Sequence, residues 1–338
     1  MKHQNLPSVI HSYFLEYLPR HKGLQSSTIR SYRDSLRLFL IFVAGVNQRG
    51  VSELDLEHLD YHAVQAFLHN MEAERGNAVS TRNQRLAALH AFYEYLGRTV
   101  PEMLPSCAKV AAIPMKRCPL PEMKFLARDE VEALFASIPA QDRLSRRDRA
   151  LLMLLYNTGA RVSEIAQLTM GQLDLKSPAQ VRLLGKGSKW RTCPLWSQTA
   201  KVLQTMLDER AADLPSDAPV FVGTGQMPMT RFGIYKRIRH YAQIWETSAK
   251  PASQIRVTPH VFRRTTAVHL LEAGVEVNVI RGWLGHVNLE TTNRYAEITV
   301  RMKTKALELC EPVATNSGHP RKSAWQDDAT MLAWLSSL

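Results

Sequence analysis

The run from Thr258 to Tyr295 constrains this chain most: T-P-H-V-F-R-R-T-T-A-V-H-L-L-E-A-G-V-E-V-N-V-I-R-G-W-L-G-H-V-N-L-E-T-T-N-R-Y. Phe262, Thr266, His269, Leu270 and Ala273 recur at spacings of three and four, which predicts one face of a helix ending at Gly274. Val275, Val277, Ile280, Trp283 and Leu284 form a second short apolar element, stopped at Gly285, where glycine lets the backbone turn and present His286. Thr291, Thr292 and Tyr295 follow on a third helical turn. His260 and Arg263 lie three apart at the start of the first helix, so an anion there would meet a guanidinium and the positive end of the helix dipole. Singly, each of these residues has an ordinary reading as packing or as a satisfied surface group. Together, His260, Arg263, His286 and Tyr295 suit phosphate chemistry.

The charge points the same way. The 338 residues carry a formal net charge of +12, with a pI near 9.7, and both halves of the chain are basic. Polyanions are the expected partners, nucleic acid first. A 45% hydrophobic content supplies core enough for two domains. Cys107, Cys118, Cys193 and Cys310 are scattered without a C-x-x-C pair, so neither a zinc module nor a disulfide framework is signalled. No apolar run is long enough for a membrane span and the N-terminus does not read as a signal sequence, so we expect a cytoplasmic protein without a membrane partner.

The N-terminal third reads as a small helical bundle. Val9, Ile10, Tyr13, Phe14 and Tyr17 make one stripe, and Ile29, Tyr32, Leu36, Phe39, Leu40 and Val43 the next. Val64, Phe67, Leu68 and Met71 mark a third helix, while Leu86, Leu89, Phe92, Tyr93 and Leu96 mark a fourth, closed by Gly97. Thr81, Arg82, Gln84 and Arg85 cluster at the start of that fourth helix, where such side chains suit base edges or phosphates in a major groove. Pro101, Pro105, Pro114, Pro119 and Pro121 then predict an extended linker. The expected division is a helical domain over 1–104, a linker over 105–121, a second domain over 122–311 and a tail over 312–338.

Asp129 to Phe135 opens the second domain as a helix, although Ala127 stands where a capping Ser or Thr is expected. An apolar helix from Arg149 to Tyr156 ends in Asn157-Thr158-Gly159, and A-R-V-S-E-I-A-Q-L follows. Arg161 stands at that turn, able to offer a bidentate donor pair to a phosphate or to pair with Glu164. Val181 to Trp190 reads as a β-hairpin with Lys186 between two glycines at its tip. Arg231, Lys236, Arg237, Arg239 and His240 alternate with apolar residues between Thr230 and Tyr241, a basic amphipathic helix suited to a duplex backbone.

In order, T-G-A-R-V-S-E-I-A-Q-L, L-G-K-G-S-K-W-R, H-V-F-R, L-G-H and Tyr295 resemble the tyrosine recombinase, or phage integrase, family, with the closest look to Xer-like and integron-type members. The resemblance covers nearly the whole chain. It implies a mainly α fold with a small β-hairpin or sheet, in two domains that form a C-shaped clamp: a SAM-like core-binding bundle and an α+β catalytic domain. It also implies that Arg161 is the first catalytic arginine, Lys186 the hairpin lysine, His260 and Arg263 the H-x-x-R pair, His286 the second histidine position and Tyr295 the nucleophile. One departure is Arg264, which stands where the family often has histidine.

These roles make chemical sense. A phenol is only about 0.1% ionised at pH 7, so Tyr295 needs help to attack a phosphodiester. His260 or the phosphate itself would take its proton, Arg161, Arg263 and His286 would neutralise the non-bridging oxygens, and Lys186 would protonate the departing 5′ oxygen. The expected product is a 3′-phosphotyrosyl link, made without metal, ATP or cofactor. The expected partners are double-stranded DNA and further copies of the chain, a tetramer on two DNA sites.

After Tyr295, Val300 to Cys310 continues as a helix, and in the tail Met331, Leu332, Trp334 and Leu335 predict a short helix needing cover; the family implies that one of these two segments docks onto a neighbouring protomer. Three other activities are weighed against site-specific recombination: relaxation of supercoils by a type IB topoisomerase, DNA binding without catalysis, and metal hydrolysis through His260 and His286. The clamp domain opposes the first, the complete catalytic set the second, and missing carboxylate ligands the third. A role in a mobile element, by DNA integration and excision, is the expectation.

Overall fold

The computed structural model describes residues 5–119, 123–139, 141–185, 187–210, 214–249, 255–285 and 333. The chain divides into two compact units, Met1–Glu122 and Met123–Leu338.

Unit 1 is helical. Helix α1 (Leu6–Ser12) continues into a wider-wound π-helical stretch, Tyr13–His21, followed by α2 (Ser26–Val46), α3 (Tyr61–Ala73) and α4 (Val79–Thr99). The apolar stripes read from the sequence meet in one core, in which Phe39, Phe67, Phe92 and Tyr93 are almost fully buried. The Tyr93 hydroxyl donates to the Leu59 carbonyl at 2.7 Å, so this polar tip does not go unpaired in the core. Helix α4 runs past Gly97 rather than closing there, because Gly97 leaves room for a close neighbour: a Cβ on it would stand 3.3 Å from that of Cys107.

That neighbour belongs to a segment expected to be extended. Leu104–Ala111 is a helix, α5, packed on α4 with Cys107 and Val110 buried. Pro101 and Pro105 stand at the first positions of helical turns, where the missing N–H would have no partner anyway, so they start helix instead of preventing it. The chain stays strapped to the bundle as far as Lys116, which pairs with Glu72 at 2.7 Å.

A second correction concerns Arg82. It is buried, and its Nη1 donates to the Pro114 carbonyl at 3.0 Å and to Asn83 Oδ1 at 3.1 Å. The guanidinium therefore anchors the strap and is withdrawn from the surface. Thr81 is half-buried, Gln84 is exposed on Ser31 Oγ at 3.1 Å, and Arg85 is half-buried on Ser35 Oγ at 2.9 Å.

Unit 2 comprises α6 (Arg128–Ala136), α7 (Arg143–Thr158), α8 (Val162–Ala166), a sheet, α9 (Ser197–Asp208), α10 (Arg231–Ala249), α11 (Pro259–Glu272) and α12 (Val277–Leu284). Ala127 offers no cap to α6, and Glu130 supplies part of one by accepting from the Ala127 N–H at 2.9 Å. The sheet is antiparallel in the order β1 (Leu173–Asp174), β2 (Gln180–Leu184) and β3 (Trp190–Pro194), so the expected hairpin gains a short third strand. Leu151, Leu154 and Leu155 of α7 share the core with Val181, Leu183, Ile234, Ile238 and Trp245. Ala267, Val268 and Leu271 of α11 pack with Ile280 and Leu284 of α12 in a smaller cluster. That packing holds the end of α12 against α11, and α7 packs on α11 as well.

Helix α10 shows which of its basic residues are free to meet a partner. Arg231 and Lys236 are exposed. Arg237 approaches buried Asp148 at 3.9 Å, and Arg239 is committed to Glu246 and the Val257 carbonyl, both at 3.1 Å. Among the described residues no helix is long and apolar enough to cross a membrane.

Removing Arg82 releases the strap at Pro114. We expect Arg82→Ala to destabilise the protein by about 0.5–1.5 kcal/mol, while exposed Gln84→Ala stays within about 0.5 kcal/mol. Denaturant melts of the two variants check this.

Candidate active site

Two chain reversals and one helix start build the site. Helix α7 ends at Gly159, whose φ of 57° is left-handed and natural for glycine. The chain then turns through Ala160 and Arg161 into α8. Helix α12 ends likewise at Gly285, with φ 64°. Helix α11 starts beside both, with Thr258 capping it and Pro259 in its first turn.

Arg263 joins these ends. It is buried, and it donates through Nη1 to the Gly159 carbonyl and through Nη2 to the Leu284 carbonyl, both at 2.7 Å. A guanidinium holds its N–H groups in a fixed planar fork, so these two bonds orient Arg263. His260, one turn earlier, is exposed at the mouth. Desolvation lowers its pKa below the ordinary imidazole value, and Arg264, Arg263 and Arg161 lower it further. His260 is therefore neutral at neutral pH, the form that accepts a proton.

Arg161 keeps part of its side chain open to solvent and is braced by Glu164. Its Nη1 donates to Glu164 Oε1 at 2.9 Å, and its backbone N–H donates to Glu164 Oε2 at 2.8 Å. The Glu164 carboxylate is nearly fully buried, and Arg191 Nη2 donates to its Oε2 at 2.7 Å. Burial alone would raise the Glu164 pKa, but the bonds from Arg191 and Arg161 outweigh it and hold the carboxyl below its ordinary value. One anion thus serves two cations, and the pocket stays positive.

Arg191 was not singled out as a site residue in the sequence. Its meaning lies in the strand register: in β3 it pairs with buried Leu183 and shares a strand face with buried Cys193. A charged residue on an inward face implies a buried partner. Its Nε donates to the Trp283 carbonyl at 2.9 Å, and the Trp283 indole N–H donates to the Asn157 carbonyl at 3.1 Å. The structure thus brings Arg161, His260 and Arg263 together at one positively charged mouth. Gly185 and Gly285, which immediately precede Lys186 and His286, stand beside Arg191 in the same place. Lys186, His286, Tyr295 and the apolar tail segment lie outside the described residues. Among the described residues, no three His, Cys, Asp or Glu side chains converge as metal ligands.

The cluster of Arg161, His260 and Arg263, on a helical unit with a small antiparallel sheet and preceded by a separate helical bundle, is the arrangement expected of a tyrosine recombinase. The family models agree: residues 124–302 match the phage integrase family, and residues 12–99 match its N-terminal SAM-like domain. The chain belongs to the phage integrase family, and it is an enzyme of the tyrosine site-specific recombinase type. It is 35% identical over 337 residues to the integrase/recombinase y4rC of Sinorhizobium fredii, covering 100% of this chain and 99% of that one. With tyrosine recombinase XerD of Pseudomonas aeruginosa it shares 34% identity over 294 residues, 84% of this chain and 91% of the relative. The same fold occurs in XerH recombinase bound to its difH substrate, with a TM-score of 0.66 and 20% identity over 83% of this chain and 79% of that one. It occurs again in the Tn1549 transposon integrase in complex with a circular intermediate DNA, with a TM-score of 0.66 and 18% identity over 88% and 98% of the two chains.

The tightness of the Gly159 turn is testable. A Cβ there would lie 2.4 Å from Leu284 Cδ2, and a non-glycine residue in this conformation costs about 1–2 kcal/mol before any clash. Gly159→Ala should lower the thermal midpoint and displace the Leu284 carbonyl from Arg263, read as an altered NMR shift of the Arg263 guanidinium.

Proposed function

We propose that this recombinase cleaves DNA by attack of the Tyr295 phenolate on a phosphodiester, leaving a 3′-phosphotyrosyl link and a free 5′ hydroxyl. The bond formed joins Tyr295 oxygen to phosphorus, and the bond broken joins phosphorus to the 5′ oxygen. The phenol proton passes to His260 or to a phosphate oxygen, and Lys186 returns one to the leaving oxygen. Arg161, Arg263 and His286 hold the non-bridging oxygens. Rejoining reverses the sequence on a new strand, one diester replacing another, so no ATP is needed.

The observation that carries this reading is the convergence of Arg161, His260 and Arg263 on one mouth, with Arg263 locked on two carbonyls and His260 neutral. Preorganised donors of this kind act where charge develops in the transition state. Exposed Arg231, Lys236 and Gln84 and the more sheltered Thr81, Arg85 and Arg237 are proposed to follow the duplex backbone. Arg82 and Arg239 drop out of that set, since their guanidinium groups are committed within their own units.

Work on two DNA sites by a tetramer, through exchanged C-terminal segments, belongs to the same reading, as does a cytoplasmic location. So does a part in the integration and excision of a mobile element. That part is supported by the full-length similarity to an integrase/recombinase and by the fold shared with a transposon integrase.

Covalent adducts test the reading. DNA captured on the wild type in cells should map to one recurrent sequence, and Tyr295→Phe should abolish it. Scattered adducts would favour supercoil relaxation by a topoisomerase, and no adducts at all would leave a DNA-binding protein without catalysis. Arg161→Ala should slow cleavage by about two to three orders of magnitude, the loss of one preorganised donor.

The neutrality of His260 makes a separate prediction. Cleavage in a single turnover should fall as pH drops through a midpoint below about 6.5, the ordinary imidazole value. Arg264→Ala should move that midpoint upward, because it removes a cation facing His260. A midpoint unmoved by this change would take the proton acceptor away from His260.

A further inference from the structure

Arg191 does more than brace Glu164. Its side chain, 8% exposed, touches three segments that the proposed mechanism uses. Nη2 holds Glu164, and with it the turn of Arg161, at 2.7 Å. Nε holds the last turn of α12 through the Trp283 carbonyl at 2.9 Å. The guanidinium also lies against two glycines: a Cβ on Gly185 would stand 3.5 Å from Nη1, and one on Gly285 would stand 3.3 Å from it. Gly185 precedes Lys186, and Gly285 precedes His286. Nη1 itself is buried and has no hydrogen-bond partner among the described residues.

The dependence of these partners on Arg191 is unequal. Without it, Glu164 keeps both bonds from Arg161. The hairpin tip is served less well. Gly185 N–H bonds to the Lys189 carbonyl within the tip itself, and among the described residues Arg191 is the polar tie nearest the tip that reaches the helical frame. A Cβ at 285 would crowd the Arg191 side chain, at 3.1 Å from its Cδ, whereas one at 185 would make ordinary contact with the guanidinium.

We propose that Arg191 is a positioning residue for the leaving-group side of the reaction: it ties the hairpin that carries Lys186 to the helix end that leads into His286. This rests on the assignment of Lys186 as proton donor made above. The P–O5′ bond breaks with a proton moving from the Lys186 ammonium to the oxygen. If sulfur replaces that oxygen, the P–S bond breaks to give a thiolate that needs no proton. A residue acting on the donor alone is then dispensable.

The test is single-turnover cleavage by the full-length protein on a nicked duplex carrying the adduct sequence, with a bridging 5′ oxygen or a bridging 5′ sulfur. Lys186→Ala should be slow on oxygen and restored on sulfur. Arg191→Met should follow it, losing about 10- to 100-fold on oxygen, no more than the lower end of what general-acid catalysis contributes, and recovering on sulfur. Arg161→Ala should be slow on both. Arg191→Met slow on both, while Lys186→Ala recovers, overturns the proposal. Failure of Lys186→Ala to recover instead removes Lys186 as the donor and this proposal with it.

Hydrogen exchange on the free protein gives a readout that needs no DNA. In Arg191→Met, amides of 184–190 and 283–285 should exchange faster while those of α7 and α10 keep wild-type rates. Unchanged exchange at the tip, or a rise throughout the unit, counts against a positioning role.

Discussion

Two helix ends facing one buried cation set the geometry on which this site depends. Helices α7 and α12 both terminate at left-handed glycines, and the carbonyls at those ends would otherwise lack partners. Arg263 satisfies one from each, at 2.7 Å. The carbonyl ends of helices are the negative ends of their dipoles, so they stabilise a guanidinium that burial would otherwise penalise. The arrangement works both ways. The helix ends make a buried arginine tolerable, and the arginine fixes the distance between them.

A second charge pattern surrounds that pairing. Glu164 is nearly inaccessible, and a lone carboxylate there would be costly. Arg161 and Arg191 share it, which keeps it ionised and fixes both guanidinium planes. With Arg263 and Arg264 added, the cations still exceed the anion, and their combined field reaches His260. A neutral imidazole among arginines is what an anionic substrate requires of a proton acceptor. An imidazolium in its place would bind the phosphate but could take no proton from a phenol.

Much of this was legible in the sequence because the site residues sit beside chain breakers. Arg161 follows Thr158-Gly159, and His260 follows Pro259, so apolar periodicity located the helices and their interruptions located the polar groups. The ordered run of five motifs also sufficed for the family. Arg191 escaped because its meaning lies in a register: only the pairing with Leu183 shows that it faces inward. Arg82 misled for the opposite reason. An arginine in the first turn of a helix reads as available to DNA, and nothing local reveals the Pro114 carbonyl that claims it from 32 residues away. The α5 helix was concealed by its prolines, whose effect depends on whether they fall within a helix or at its start.

The glycines explain why a phosphate site can be both rigid and open. Gly159 and Gly285 end helices that are held by packing against α11, so the backbone beside them is fixed by the core and not by the substrate. Arg161 stands two residues beyond Gly159 and keeps part of its side chain open to solvent, so it borrows stiffness from α7 without being buried in it. Arg263 differs: it comes from inside a helix, and it spends two of its donors holding those ends in place. The guanidinium is thereby oriented before any phosphate arrives, which is the condition under which a charged group lowers a barrier instead of merely binding a ground state.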